Sequence, residues 1–342
     1  MHYRKFGTTG VRVSPLCLGA MMFGKWGNQN HDDSIKIIHR ALDSGINFID
    51  TADVYSAGES EEIVGKALAG RRDKVVLATK LHAPMGDDPN QRGNSRRWIF
   101  QEVEASLRRL KTDWIDLYQI HRPDAACDVE ETLGALTDLV RQGKVRYLGS
   151  STFPGSQIVE AQWVARDRHL SRFVCEQPPY SILVRGIEND VLPTCDRHDM
   201  AVIPWSPLAG GWLSGKWRKG QPPPTSTRAA RLPGRYDLAL PGNQKKLDAA
   251  DALAVLADEA GIPLVKLAIA FVIKHPAVTS AIIGPRTMDQ LESQLGSDEI
   301  KLSDDVLDRI DKIVPPGSNF SAADGGWDNP ALAPRARRRA YP

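Results

Sequence analysis

Four polar residues stand apart by type and place: Asp50 and Tyr55 in "NFIDTADVYS", Lys80 closing "VVLATK", and His121 closing "IDLYQIH". Each follows an apolar run short enough to be one buried strand, so each falls where a strand leaves the core. In parallel α/β barrels the C-terminal strand ends converge on one mouth, and residues far apart in sequence share a pocket there. The chemistry of such a set is proton transfer. A phenol is a poor donor near neutral pH, and a neighbouring ammonium, by favouring the phenolate, makes its proton easier to give up. Asp50 would pair with Lys80. Taken singly the residues have plainer readings: a turn cap for Asp50, a solvated strand end for Lys80, a satisfied core histidine for His121. Only their joint placement argues otherwise.

Eight short apolar runs place these residues: "PLCLG", "NFIDT", "VVLATK", "IDLYQIH", "VRYLGSS", "FVCEQ", "AVIPWS" and "AIIG". Segments of helical period lie between them, such as 33–43 with Ile35, Ile38, Ala41 and Leu42 on one face, and 97–110 with Phe100, Val103, Leu107 and Leu110. The alternation predicts βα units closing as a (β/α)8 barrel. Gly45 and Gly143 read as residues just past helix ends, and "YRKFGTTGVRVS" as a β-hairpin ahead of the first strand. After the seventh run comes an insertion, with a Gly/Pro-rich loop over 210–242 and an extra helix near 245–260. A long loop in a compact domain is more often functional than accidental.

The chain of 342 residues carries 44 basic and 42 acidic side chains, a net charge of +2, which gives no field for nucleic acid. The one local basic run, Arg335 to Arg339, lies in a Pro/Gly-rich tail from Pro315 that should drape over the surface or stay mobile. Cys17, Cys127, Cys175 and Cys195 are too scattered for a zinc site or disulfide framework, and read as reduced core thiols. Without a signal-like or membrane-length apolar segment, a cytoplasmic protein of one barrel domain is expected, its core over about 3–314.

"FIDTADVY", "LATK" and "IDLYQIH", in this order, resemble the aldo-keto reductase superfamily over nearly the whole chain. The resemblance implies a tetrad of Tyr55, Lys80, Asp50 and His121 at the mouth of a (β/α)8 TIM barrel, reducing carbonyls with NAD(P)H. "LGSSTF" is similar to the family's "GVSNF", which implies that Ser151 and Thr152 hold the nicotinamide carboxamide, with Gln177 of "CEQPPY". "WSPLAGGWLSGK" closely resembles a segment of potassium-channel β subunits and related bacterial reductases. It implies that Trp205 stacks on the nicotinamide while Ser206, Leu208, Gly210 and Lys216 wrap the pyrophosphate. "IIGPRTMDQLESQL" places Gly284, Arg286, Gln290 and Gln294 at the adenosine end. Trp205 also reads as a core aromatic, and Thr287 with Gln290 as a capping box. Arg228, like Arg286, matches a phosphate-contacting arginine, and two arginines favour NADPH over NADH. The missing GxGxxG is no objection, since the family binds its dinucleotide extended across the barrel.

The substrate implied is an aldehyde or ketone, sugar-derived or aromatic, against a wall of Phe23, Trp26 and Trp98. Arg122, after the histidine, admits a polar or anionic substrate or else pairs with Asp124. Two other classes are a redox-sensing regulatory subunit like the channel β subunits, and a barrel lyase or isomerase using Lys80 as a Schiff base. The oligomeric state stays open.

Overall fold

A computed structural model describes residues 1–225, 227–327 and 330. The hairpin strands β1 (Arg4–Lys5) and β2 (Arg12–Val13) pair antiparallel with Arg4 opposite Val13. All eight apolar runs form parallel strands: β3 (Leu16–Gly19), β4 (Phe48–Asp50), β5 (Val76–Leu81), β6 (Ile115–Ile120), β7 (Val145–Ser151), β8 (Phe173–Gln177), β9 (Ala201–Val202) and β10 (Ala281–Ile283). Their spatial order is β10-β3-β4-β5-β6-β7-β8-β9. A parallel bridge between Trp205 and Ile282, with Ile282 N donating to Pro204 O at 2.9 Å, joins the two ends into a ring. Closure leaves no sheet edge to cap.

Alternation sorts the side chains into two cores. Cys17, Phe48, Ala78, Leu117 and Cys175 fill the inside, and Phe6 from the hairpin packs among them, its ring edge-on to Phe48 at 5.6 Å. The hairpin therefore plugs the bottom. Gly7 makes this possible, for at φ 55° a Cβ would meet three backbone atoms within 3 Å, including Val174 O and Ala201 N.

The outer core lies between strands and helices. Helix His31–Asp43, capped by Asn30, buries Ile37, Ile38 and Ala41, while Ile35 and Leu42 are only partly covered. Helix Arg96–Leu110 buries Ile99, Val103, Leu107 and Leu110; Phe100 sits one step off that stripe, beneath the Arg96 guanidinium. Gly45 (φ 92°) and Gly143 (φ 75°) do follow helix ends. Of the cysteines, Cys17, Cys175 and Cys195 are buried thiols; Cys127 departs from expectation, half-exposed in the loop before helix Val129–Arg141.

The insertion after β9 holds a short helix, Thr227–Arg231, and the long helix Pro241–Glu259. Trp212 stacks on Trp217 at 3.9 Å and faces Tyr236 at 6.0 Å, so the insertion brings its own aromatic core. The tail drapes as expected over 315–327: Asn319 bridges to Val184, and Asp324 accepts from the buried Lys246 at 2.8 Å. Arg335 to Arg339 lie outside the described residues. Among the described residues no helix is long and apolar enough to cross a membrane.

Candidate active site

Asp50 ends β4 inside the barrel, 2% exposed. One carboxylate oxygen accepts from Lys80 Nζ at 2.6 Å; the other accepts from the side-chain amides of Gln119 (3.1 Å) and Gln177 (2.8 Å). Lys80 on β5 is wholly buried and also donates to Thr51 O at 2.7 Å and to the Tyr55 hydroxyl at 3.3 Å. Three donors thus meet three acceptors. Burial works against the ammonium, yet Asp50 and Tyr55 outweigh it, and the lysine pKa stands above its ordinary value. The reading of Lys80 as a solvated strand end is overturned.

Tyr55 arrives through a sharp turn. Ser56 and Ala57 take left-handed backbone (φ 52° and 57°), an unfavourable state for residues with a Cβ. Ser56 Oγ repays part of it by accepting from Trp26 N at 3.1 Å, which ties the loops after β3 and β4 together. The phenol ring lies between His121, edge-on at 5.8 Å, and Trp26, tilted at 5.9 Å. Unlike Asp50 and Lys80, Tyr55 is partly exposed, so the phenol is the member of that trio open to a ligand. Burial, with the charges of Arg122, Lys80 and His82, pushes the His121 pKa well below its ordinary value. The imidazole is neutral at physiological pH.

Asp53, in the same run, turns away from the tetrad. Its Oδ1 accepts from Val54 N at 2.6 Å, while Oδ2 has no partner among the described residues. Burial and the nearby Glu61 and Glu102 raise its pKa strongly. Arg109 binds both of those glutamates, so a second buried ionic cluster backs the tetrad strands.

The expected cofactor residues occupy the other arc of the mouth, from β7 round to β10. Ser151 pairs in register with Gln177, Pro179 bridges to Trp205, and Trp205 bridges to Ile282, one residue before the end of β10. Gln177 Nε2 is engaged by Asp50 and by Gln119 Oε1 (3.1 Å), which leaves its amide oxygen as an acceptor for a carboxamide. Ser151 Oγ donates to Gln177 O at 2.9 Å, and Thr152 holds a φ of 62°. Ser206 (φ 59°) and, after two ordinary residues, Ala209 (49°), Gly210 (69°) and Gly211 (104°) take left-handed backbone; a Cβ on Gly211 would meet nothing within 4 Å. Leu208 O accepts from Gly211 N, and Lys216 is exposed beyond this turn. Gly284 is equally open, and the buried Gln294 Oε1 lacks a partner among the described residues. The open positions at Gly211 and Gly284 and the amide oxygen of Gln294 fit an extended dinucleotide. Gln290 serves the local fold: its N–H reaches Thr287 Oγ1 at 3.3 Å, and its Oε1 accepts from Arg286 N at 2.8 Å.

The wall residues divide. Trp26 faces Tyr55, whereas Phe23 and Trp98 are buried in the outer core (0% and 2% exposed), with no ring contact to the tetrad. Arg122 does not pair with Asp124, whose oxygens accept from Asn94 N and Ala126 N; its guanidinium donates to His121 O. Gln119 went unseen from sequence, although it precedes His121 by two residues, and alternation puts both on the inner face. Glu176 was also unforeseen. From the outer face of β8 it accepts from Ser150 Oγ (2.5 Å) and Phe153 N (3.2 Å), clamping the loop after β7, and burial lifts its pKa to about 7.

A family model described as the aldo/keto reductase family matches residues 15–315. The chain belongs to that family. YrpG, an uncharacterized oxidoreductase of Bacillus subtilis, is 40% identical to this aldo/keto reductase, across 94% of this chain and 99% of the relative. A protein named as a probable voltage-gated potassium channel subunit beta from Arabidopsis thaliana is 36% identical (92% and 97%). The versiconal hemiacetal acetate reductase of Aspergillus parasiticus is 33% identical (92% and 98%). The chain is thus an oxidoreductase of a family that acts on small carbonyl compounds.

Proposed function

We propose that this protein reduces an aldehyde or ketone to the alcohol with NADPH, Tyr55 giving the proton. The observation that carries the reading is the Lys80 ammonium, buried and bonded at once to Asp50, Thr51 O and the Tyr55 hydroxyl. NADPH, when bound, supplies the hydride for the carbonyl carbon. Ser151, Thr152 and Gln177 hold its carboxamide, Trp205 stacks on its ring, and Ser206, Leu208, Gly210 and Lys216 line the pyrophosphate. Gly284, Arg286 and Gln294 take the adenosine end.

The chain's part in the reaction is fixed by four groups. His121, neutral because of burial and the cations around it, donates a hydrogen bond to the carbonyl oxygen without competing for the proton. Lys80 stabilises the phenolate as Tyr55 gives up its proton, and Asp50 keeps Lys80 charged and in place. Trp26 and Arg122 flank the substrate.

The test is loss of NADPH absorbance across a panel of aldehydes and ketones. Steady consumption with at least one is expected. Tight cofactor binding with no turnover would overturn the reading and favour the second one, a redox-sensing subunit, which rests on the likeness to the Arabidopsis protein.

A further inference from the structure

The two rings that flank the Tyr55 phenol each bring an arginine with them. Arg231, on the insertion, lies over the Trp26 indole at 4.4 Å, and Arg122 directly follows His121. A third, Arg228, lies one turn before Arg231 on the same short helix. Arg122, Arg228 and Arg231 form no ion pair with any carboxylate among the described residues. Two acids of this region are already engaged. Asp324 is taken by Lys246 at 2.8 Å and Arg235 at 3.8 Å, and Glu176 is held by Ser150 and Phe153 N. Cations gathered around a partly buried group, with no counter-charge among the described residues, carry an electrostatic cost that a bound anion would relieve.

We propose that this reductase selects carbonyl substrates bearing a carboxylate or phosphate near the carbonyl, gripped by Arg122 and Arg231 while the carbonyl oxygen meets Tyr55 and His121. The proposal rests on the reductase reading and narrows its substrate class. Guanidinium groups suit the task because their planar fork matches both anions. The positions separate this role from cofactor binding: Arg122 and Arg231 adjoin the ring neighbours of the phenol, on the arc of β3, β4 and β6, whereas the proposed dinucleotide path follows β7 to β10.

The test compares kcat/KM for 4-oxobutanoate with its methyl ester, and for glyceraldehyde 3-phosphate with glyceraldehyde, using the full-length protein and NADPH. At least one charged member should be preferred by about tenfold or more, as expected for a hydrogen bond to a charged group. The larger ratio identifies the anion. Arg231→Met and Arg122→Met should each shrink that ratio several-fold, and Arg231→Lys should retain part of it. Equal use of charged and neutral members by the wild type overturns the proposal. So does a Met variant that weakens NADPH binding while the ratio stands, since the cation then serves the cofactor. If no aldehyde is turned over, the reductase reading fails separately, and calorimetry with succinate decides the cation cluster: binding lost in Arg122→Met and Arg231→Met upholds it, and no binding by the wild type sinks it.

Discussion

The floor of the pocket and its rim handle charge in opposite ways. On the floor, Asp50, Lys80, Gln119 and Gln177 satisfy one another inside the barrel, with Thr51 O and the Tyr55 hydroxyl completing the set. On the rim, Arg122, Arg228 and Arg231 lack carboxylate partners among the described residues, and Gly211 and Gly284 face open space. A saturated network is rigid and pre-organised for a transition state; an unsaturated one waits for a ligand to complete it. Changes to the floor should therefore damage stability and rate together. Changes to the rim should damage affinity for particular ligands.

Lys80→Met is the severest break. It strands Asp50 as a buried charge, so a loss of roughly 3–5 kcal/mol in unfolding free energy is expected along with loss of turnover. Asp50→Asn/Lys80→Met should recover part of the stability but none of the rate, and denaturant unfolding of both proteins checks this. Should Lys80→Met melt like the wild type, the floor is not the coupled unit described.

Tyr55→Phe separates rate from stability on the same floor. Turnover should fall by about 100- to 10,000-fold, the usual range for a lost proton donor, while NADPH binding and the unfolding midpoint change little. A variant that turns over nearly normally would remove Tyr55 from the chemistry.

Glu176 lies between the two regimes, a buried acid clamping the loop after β7. Its pKa is raised, to about 7 from 4.5, so the folded state disfavours its ionised form. The stability it contributes is complete below pH 4.5 and is lost as pH rises through 7, by about 3 kcal/mol in all. Thermal melts of wild type and Glu176→Gln over this window should diverge, the wild type losing ground with rising pH. Parallel curves would mean that the clamp carries no such burden.

Arg286→Ala should have the smallest and most selective effect. If Arg286 meets the 2′-phosphate, NADPH binding weakens by roughly 1–3 kcal/mol, as for a hydrogen bond to a charged group, and NADH binding barely changes. The wild-type preference should also narrow with salt. Tryptophan quenching titrations with both cofactors measure it, and equal weakening of both would return this residue to a packing role.

The sequence showed the floor better than the rim for a physical reason. Strand ends are set by apolar runs, and a residue closing such a run has one place to go; thus "FIDT", "LATK" and "YQIH" located Asp50, Lys80 and His121. Tyr55 needed the motif, since its position depends on two left-handed residues, Ser56 and Ala57, that carry no glycine signal. The rim depends on long-range folding of the insertion. Nothing in "STRAARLPGR" says that Arg231 lies over Trp26, and nothing in "HRPD" says that Arg122 leaves Asp124 alone. Trp98 shows the reverse failing: expected in the substrate wall, it lies in the first turn of the helix whose period was legible over 97–110, and its ring is buried in the outer core.

The tail has a bearing on the order in which the molecule is finished. Gly326 lies so close to the Trp205 indole that a Cβ would overlap it, and Asp324 neutralises Lys246, itself wholly buried. A ribosome delivers Tyr55, Lys80 and His121 long before it delivers residues 320–327, and domains gain structure as they emerge. The nascent barrel can thus assemble its tetrad while Lys246 has no counter-charge and the indole is uncovered. Pocket completion therefore waits on the tail, and a translation pause just upstream of Asp324 would leave a barrel with its strand-end residues in place, Lys246 without its counter-charge and the Trp205 indole uncovered.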